Sequence, residues 1–411
     1  MTVSCRFCHS PLKLSLVDLG ETPLANSYLP ANDPAALAAE RRYPLHVMVC
    51  ESCWLAQTSE TPPADAIFSH DYAYLSSWSA GWVDHARRYA EAMTARFGLG
   101  PQSKVVEVAS NDGYLLQHFA AAGIPVLGVE PAGHAASLAE AKGVPTRVEF
   151  FHEASATRLR DEGHGADLMA ANNVLAHVPD IRAFAAGFKA LLKPQGVATF
   201  EFPHLARLLT QVQFDTIYHE HYSYLSLIFV QRLMQEVGLQ VFDVETLPTH
   251  GGSLRVFACH PGAHPVTPAV ARVLAEEIAL QMNQAGGYTG MAARVGRILT
   301  DFRAFLARVK AEGKSVAGYG AAAKGNTFLN VAAIGPQGGI DFVVDRNPSK
   351  QGTLLPGSHI PVLDPDEIAS RRPDYLVILP WNIAPEVMEQ QAQIRGWGGQ
   401  FVTAIPDLQI R

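Results

Sequence analysis

Cysteine is scarce in this 411-residue chain. There are five, of which four fall in two Cys-x-x-Cys pairs, Cys5/Cys8 and Cys50/Cys53, while Cys259 stands alone. So few thiols exclude a disulfide framework, and paired thiols in a reducing compartment point to metal ligation. Long hydrophobic runs are missing too: none approaches the roughly 20 residues of a membrane-spanning helix. The chain does not open on a charged-then-apolar leader, so a soluble, cytoplasmic protein with no membrane partner is expected. Charge is sparse at 17% of residues, the net charge is −7, and Lys and Arg do not cluster. A nucleic-acid partner is therefore not expected. Hydrophobic residues make up 48%, which indicates globular structure, and the length allows two or three domains.

The two cysteine pairs, "CRFC" and "CESC", can each sit on a tight knuckle, and four thiolates suit tetrahedral Zn²⁺. Cys5, Cys8, Cys50 and Cys53 are the expected ligands. A set of four leaves the metal no open position, so a structural zinc is expected in an N-terminal module over residues 1–75. The Pro- and Gly-punctuated stretch between the pairs shows little helical periodicity.

An amphipathic helix is expected from about Ser79. "SKVVEVASNDGYLLQHFAAAGIPVLGVEP" then reads as strand, tight turn, helix and strand, one βαβ unit of a parallel sheet. A doubly wound α/β domain over residues 76–240 follows, with its ligand at the carboxyl ends of the strands. The first turn, Asn111-Asp112-Gly113, has one glycine, a poor cradle for a pyrophosphate. It suits a ligand without phosphate, such as S-adenosylmethionine. Glu107 and Asp112 would face its positive charges and Glu130 its ribose hydroxyls. Asn172 and Asn173, at the end of a further strand, join this expected cofactor site.

Residues 241–411 are expected to form a second Rossmann-like α/β domain. "GYGAAA" (Gly318–Ala323) fits G-x-G-x-x-A, and Asp345 follows at the spacing of a ribose contact. Read alone, this favours an NAD(P)-dependent oxidoreductase. Lys324 and Asn326 just beyond the turn instead suit the phosphates of a nucleotide-linked substrate, with His250, Gly252 and Ser253 of the "HGGS" turn lining the path. A non-enzymatic zinc-ribbon scaffold is a third reading.

"FDTIYHEHYSYLSL" (residues 214–227) crowds proton carriers together. It nearly spells the zinc-protease box H-E-x-x-H, but position 223 is Ser223, so the helical pair of imidazoles cannot form. If the segment is extended, His219 and His221 share one face, and Tyr218 and Glu220 the other. A turn is required to bring Tyr218, Glu220 and His221 to one site.

"CRFC…CESC", "EVASNDGYLL", "YHEHYSYLS", "HGGSLRVF" and "GYGAAAKGNTFLN", in this order, resemble the nucleotide-sugar C-methyltransferases over essentially the whole chain. The resemblance implies a zinc module, a class I S-adenosylmethionine methyltransferase domain and a Rossmann-like domain that helps hold the substrate. It also implies that Tyr72, His177, Tyr218, Glu220 and His221 line the reaction site. The implied substrate is a nucleotide-linked 4-keto-6-deoxy sugar, dTDP favoured, methylated next to the ketone, with C3 favoured over C5. His221 is the expected base and His177 its reserve. Glu220 would orient an imidazole, and Tyr218 would hydrogen-bond the enolate oxygen.

Overall fold

The computed structural model describes residues 3–60 and 75–411. In the N-terminal module the two cysteine pairs build matching knuckles. In the first, the Cys5 amide bonds the Ser10 carbonyl and the His9 amide bonds the Cys5 carbonyl; in the second, Cys50, Leu55 and Trp54 repeat the pattern. His9 and Trp54 occupy equivalent left-handed positions, at φ 61° and 63°. The knuckles bring all four sulfurs within 4.8 Å of one another, with Cys5–Cys53 at 3.6 Å and Cys8–Cys50 at 3.4 Å. A disulfide needs about 2.05 Å, whereas a tetrahedron of Zn–S bonds of about 2.3 Å has edges of about 3.8 Å. The donor set fits zinc.

Four strands follow the first knuckle: β1 (Leu14–Thr22), β2 (Leu29–Pro30), β3 (Tyr43–Val49) and β4 (Ala56–Thr58). Helix Ala80–Phe97 starts where the Ser79 hydroxyl accepts the Trp82 amide and ends at left-handed Gly98. Its buried residues, Ala86, Tyr89, Ala90 and Met93, recur at helical spacing and face the next domain's sheet.

That sheet takes β5 (Val105–Val108), β6 (Val126–Val129), β7 (Thr146–Arg147), β8 (Ala166–Asn172) and β9 (Leu192–Pro203). The chain then forms the two-residue β10 (Ser223–Tyr224) before β11 (Gln240–Leu247) and β12 (Ser253–Cys259). The strand order is β11-β12-β9-β8-β5-β6-β7. β5 to β9 pair in parallel, and β12 is antiparallel to both its neighbours. This is the sheet of a class I methyltransferase. β11 and β12 lie beyond residue 240 yet complete this sheet, so hydrogen bonding carries the domain through Cys259.

Helices Pro268–Ala279 and Met291–Ala311 lead to the last domain. Its strands are β13 (Val316–Tyr319), β14 (Phe342–Val344), β15 (Thr353–Leu354), β16 (Val362–Leu363), β17 (Tyr375–Ile378), β18 (Gln400–Thr403) and β19 (Gln409–Ile410). Six of them form the order β16-β14-β13-β17-β18-β19, a Rossmann-like sheet with an antiparallel last strand. β15 instead pairs with β2 of the N-terminal module.

Among the described residues, the N-terminal module shares its core with both other domains. Cys5, Phe7, Cys50 and Cys53 are buried with Phe188, Phe200 and Phe229 of the methyltransferase domain. Phe7 meets Phe229 edge-on at 5.2 Å. On the other side, Leu16, Leu45 and Val47 share a cluster with Phe302, Phe305 and Leu355 of the last domain. Loss of zinc should therefore loosen both interfaces. Cys50→Ser is expected to bring the zinc content from one per chain toward zero and to lower stability by several kcal/mol, a modest part of the ~10–16 kcal/mol seen for structural zinc. Metal analysis and a melting curve check this; a metal-free variant that melts like the parent would show that the thiols stabilise without zinc.

Candidate active site

The first half of the site lies at the carboxyl ends of β5, β6 and β8. The turn after β5 needs left-handed backbone at Ala109, Asn111 and Gly113. A Cβ on Gly113 would lie 3.2 Å from Ala139 Cβ and Val144 Cγ2, so the glycine also lets the turn pack closely. Glu130 braces this turn: its Oε2 accepts the Asn111 amide at 2.9 Å and its Oε1 the Ala132 amide at 2.8 Å. Burial pushes its carboxyl up from the ordinary value. Glu107 is fully buried, and burial, aided by the charges of Glu130 and Asp112, holds its carboxyl well above the usual range. Among the described residues, Asp112 Oδ1 and Ser110 Oγ are buried without a hydrogen-bond partner, and the Glu107 and Asn172 side chains have only the Tyr114 hydroxyl near them. Asp112 Oδ2 is 3.0 Å from Lys142. Buried orphan acceptors are costly. A cationic ligand with amino and hydroxyl donors satisfies them, and S-adenosylmethionine is such a ligand.

The second half centres on the segment after the 3-10 turn Phe214–Thr216. The His221 amide bonds the Tyr218 carbonyl at 2.9 Å. This closes the turn that the residue pattern required, and it brings the Tyr218 and His221 rings to 4.0 Å. His177, on the short turn after β8, lies 4.7 Å from His221, ring to ring. His221 Nδ1 donates to the Thr216 carbonyl at 2.8 Å, which leaves Nε2 as the basic nitrogen. Burial, then the neighbouring His177, holds the His221 imidazole well below its usual pKa, and burial takes His177 down to about 4.

The Glu220 carboxylate is turned away from both imidazoles, although the Glu220 backbone hydrogen-bonds His177. Its Oε1 accepts from Asn26 Nδ2 at 2.6 Å, and Lys350 is its neighbouring cation. It points toward the N-terminal module because the turn sends successive side chains apart. The Thr216 carbonyl takes the orienting role instead. His219 also faces that module, with Nε2 3.2 Å from the Tyr43 and Pro44 carbonyls. Tyr72 lies outside the described residues.

The last domain closes the site. Lys324 Nζ donates to Asn382 Oδ1 at 2.7 Å and sits 5.2 Å over the Trp381 ring. Trp381 Nε1 donates to Asp215 Oδ2 at 2.8 Å. Burial pushes Asp215 up to about 6 even though Lys324 and Trp381 favour its charge. His250 bonds Asn173 at 3.1 Å, and burial with the Lys324 charge lowers its imidazole to about 4. Trp82 touches both halves, with its ring 6.0 Å from Tyr114 and 5.2 Å from His250.

The remaining expected substrate contacts fall elsewhere. Gly252, at φ 116°, and Ser253, whose hydroxyl bonds the Thr249 carbonyl at 3.0 Å, shape the turn that carries His250. Asn326 is buried and donates to the Ala25 carbonyl at 2.7 Å. Asp345 accepts the Ala321 and Asn347 amides, each at 2.8 Å. Tyr28 and Lys350 both donate to the Ala321 carbonyl. The N-terminal module thus covers the G-x-G-x-x-A turn, where an NAD(P) pyrophosphate would have to lie. Of the knuckles, Cys5, Cys50 and Cys53 are buried, whereas His9, Glu51 and Ser52 are exposed.

Three adjoining matches cover the chain. Residues 5–68 match the family described as "Putative zinc binding domain", residues 82–244 a methyltransferase domain, and residues 248–406 a C-methyltransferase C-terminal domain. The C-methyltransferase NovU of Streptomyces niveus is 40% identical over 407 residues, 99% of this chain and 96% of the relative. The chain belongs to the C-methyltransferase family. The ubiquinone biosynthesis O-methyltransferase of Rhodopseudomonas palustris (strain BisA53) is 25% identical over 35% of this chain and 66% of its own. Among solved structures, an S-adenosylmethionine-dependent methyltransferase from Anabaena variabilis ATCC 29413 aligns over 49% of this chain and 97% of its own, at 14% identity and TM-score 0.39. The family uses S-adenosylmethionine.

Several site residues escaped the sequence reading. Asp215 was visible only as one more carboxylate in a polar run. Trp381 looked like the end of a buried strand. Glu201, which accepts from Arg255 at 2.9 Å and Thr249 at 3.1 Å and lies 3.0 Å from His85, sits in a strand that reads as hydrophobic. Burial opposes the Glu201 charge, but His85 and Arg255 outweigh it and hold the carboxyl below its ordinary range.

Glu130→Ala removes an acceptor for ligand hydroxyls and the brace of the first turn together. The dissociation constant for S-adenosylhomocysteine, measured by calorimetry, is expected to rise at least about tenfold, in keeping with a hydrogen bond to a charged group. An unchanged constant would place the cofactor elsewhere.

Proposed function

We propose that this C-methyltransferase acts on a nucleotide-linked 4-keto-6-deoxy sugar, dTDP-linked by preference, and methylates the carbon next to the ketone, C3 by preference. The observation that carries the reading is the neutral His221, its Nδ1 pinned by Thr216 and its ring against Tyr218. A ring carbon is not a nucleophile until it loses a proton, and a ketone beside it makes that loss accessible. His221 Nε2 takes the proton, and the Tyr218 hydroxyl donates to the enolate oxygen as charge develops there. Bound S-adenosylmethionine supplies the electrophilic methyl.

A buried imidazole of low pKa is a weak base in the resting site. The same burial reverses the balance once the enolate forms, because an imidazolium beside a new anion in a poorly screened site is strongly stabilised. His177, ring to ring with His221, is the alternative base. Lys324 binds the anionic nucleotide-diphosphate end of the substrate, and its charge already reaches both His221 and His250. A nucleotide sugar extends from its phosphates to its ring, which matches a cation on one wall and imidazoles on the other.

With S-adenosylhomocysteine bound, the protein should exchange the substrate's ring proton for solvent deuterium, read by mass spectrometry over dTDP-, GDP- and CDP-linked 4-keto sugars. His221→Asn should abolish exchange and methylation while S-adenosylhomocysteine affinity stays within about twofold. Wild-type exchange in the variant would pass the role to His177. Because burial lowers the His221 pKa, its lone pair stays available as pH falls through 6.5, and exchange should decline only well below that value.

Lys324→Ala should raise KM about tenfold or more and alter kcat far less, since a phosphate contact is nearly equal in ground and transition states. A kcat loss as large as the KM change would show that Lys324 acts on the reacting atoms instead.

A further inference from the structure

The turn carrying His221 is held from the zinc side. Arg6 lies between Cys5 and Cys8 on the first knuckle. Its Nη2 donates to the Tyr222 carbonyl at 2.8 Å, to the Thr58 carbonyl at 2.6 Å and to Thr58 Oγ1 at 3.0 Å. The guanidinium also sits 5.4 Å over the Tyr222 ring. Tyr222 directly follows His221, and its carbonyl accepts the Thr58 amide as well, at 3.2 Å.

Gln57 completes the connection. Its Nε2 donates to Cys5 Sγ at 3.1 Å, and its Oε1 accepts the Arg6 amide at 2.9 Å. Its backbone pairs with Ser223 where β4 meets β10. Among the described residues no carboxylate pairs with Arg6. A part-buried cation without a counter-ion is costly, but Zn²⁺ with four thiolates carries a net charge of −2 beside it. Bound there, the zinc–thiolate cluster would supply the counter-charge that lets this guanidinium serve neutral carbonyls.

We propose that Arg6 is a positioning residue for methyl transfer: fixed to the zinc knuckle, it holds the Tyr222 carbonyl and so sets the His221 turn. Zinc in this enzyme thereby orients the base as well as stabilising the fold. The inference rests on His221 being the base, and the test separates the two claims.

Full-length Arg6→Lys and Arg6→Gln are compared with the parent for zinc content, S-adenosylhomocysteine affinity, kcat and KM on the dTDP-linked 4-keto-6-deoxy sugar. The His221 Nδ1–H signal is followed by NMR in the S-adenosylhomocysteine complex, which needs no sugar. Both variants are expected to keep one zinc and parental cofactor affinity. Arg6→Gln should lose about thirtyfold in kcat with KM within about threefold, on the scale of a small misplacement of a catalytic group. Its His221 signal should shift and exchange faster with water. Lysine can still reach one carbonyl, so Arg6→Lys should recover most of the loss, to within about fivefold of the parent, with a smaller shift of the signal.

A zinc-loaded Arg6→Gln protein with parental kcat, or with an unmoved His221 signal, overturns the proposal. If Arg6→Gln loses its zinc, Arg6→Lys decides alone, and parental kcat with an unmoved signal overturns it. His221→Asn, run alongside, tests the base itself: continued deuterium exchange there refutes His221 as the base, while the NMR signal still decides whether Arg6 sets the turn.

Discussion

A strand pairing two residues long, Gln57 with Ser223 and Ala56 with Tyr224, joins the zinc module to the segment that carries His221. So short a ladder has no independent stability. It persists because its flanks are fixed on both sides. Upstream, the second knuckle ends at Cys53, three residues before β4. Downstream, β10 runs straight into helix Leu227–Val237, whose Phe229 packs on Phe7. The segment is thus clamped between metal ligands and a hydrophobic contact, and His219, Glu220 and Tyr222 each bond the module from within it. The module's opposite face packs into the last domain. One metal-stabilised wedge therefore sets the distance between the two walls of the reaction site.

The wedge excludes water, and the titration of the site follows. His177 and His250 are held near 4 and Asp215 near 6, His221 and Lys324 are lowered, and burial is the largest cause in each case. Each of these five shifts favours the neutral form, whereas His85 and Arg255 hold Glu201 in its charged form. In a medium that screens poorly, a charge created by reaction is felt strongly by groups already in place. Lys324 and Asp215 show how the site tolerates a cation: the ammonium has the Asn382 oxygen, the Trp381 ring face and a nearby carboxylate, without a direct ion pair that would hold it away from an anionic ligand.

Local pattern made the sheets legible in the sequence. The alternation of strand, turn and helix from Lys104 to Glu130 appears as read, and the amphipathic helix expected from about Ser79 begins there, with the Ser79 hydroxyl as its cap. The two Cys-x-x-Cys pairs fixed the metal ligands because four thiols at such spacing have few other uses. That β11 and β12 join the methyltransferase sheet was not legible, because long-range pairing leaves no local mark. The Glu220 direction was lost for a related reason. Its partner Asn26 is 194 residues away, and only the three-dimensional wedge brings them together. Asp215 and Trp381 belong to different domains, and neither neighbourhood hints at the other.

The two Rossmann-like domains show why a motif alone misleads. Glu130 and Asp345 each end a strand, accept an amide from the preceding Gly-containing turn, and accept the amide two residues further on. The backbone solution is the same in both. In the first domain the turn is lined by orphaned acceptors that await a cation. In the second, Tyr28 and Lys350 already occupy the Ala321 carbonyl. The glycines of that second turn answer to packing: a Cβ on Gly320 would come within 2.6 Å of Pro380 Cδ, and one on Gly325 within 2.9 Å of Leu379 Cβ. Close approach of strand to helix demands glycine as firmly as close approach of a pyrophosphate does. What distinguishes the two uses is how far the polar groups around the turn are already satisfied by the protein: several stay open in the first domain, while in the second Asp345, Tyr28 and Lys350 take up the turn's Ala321 and, among the described residues, Asn326 Oδ1 alone is left.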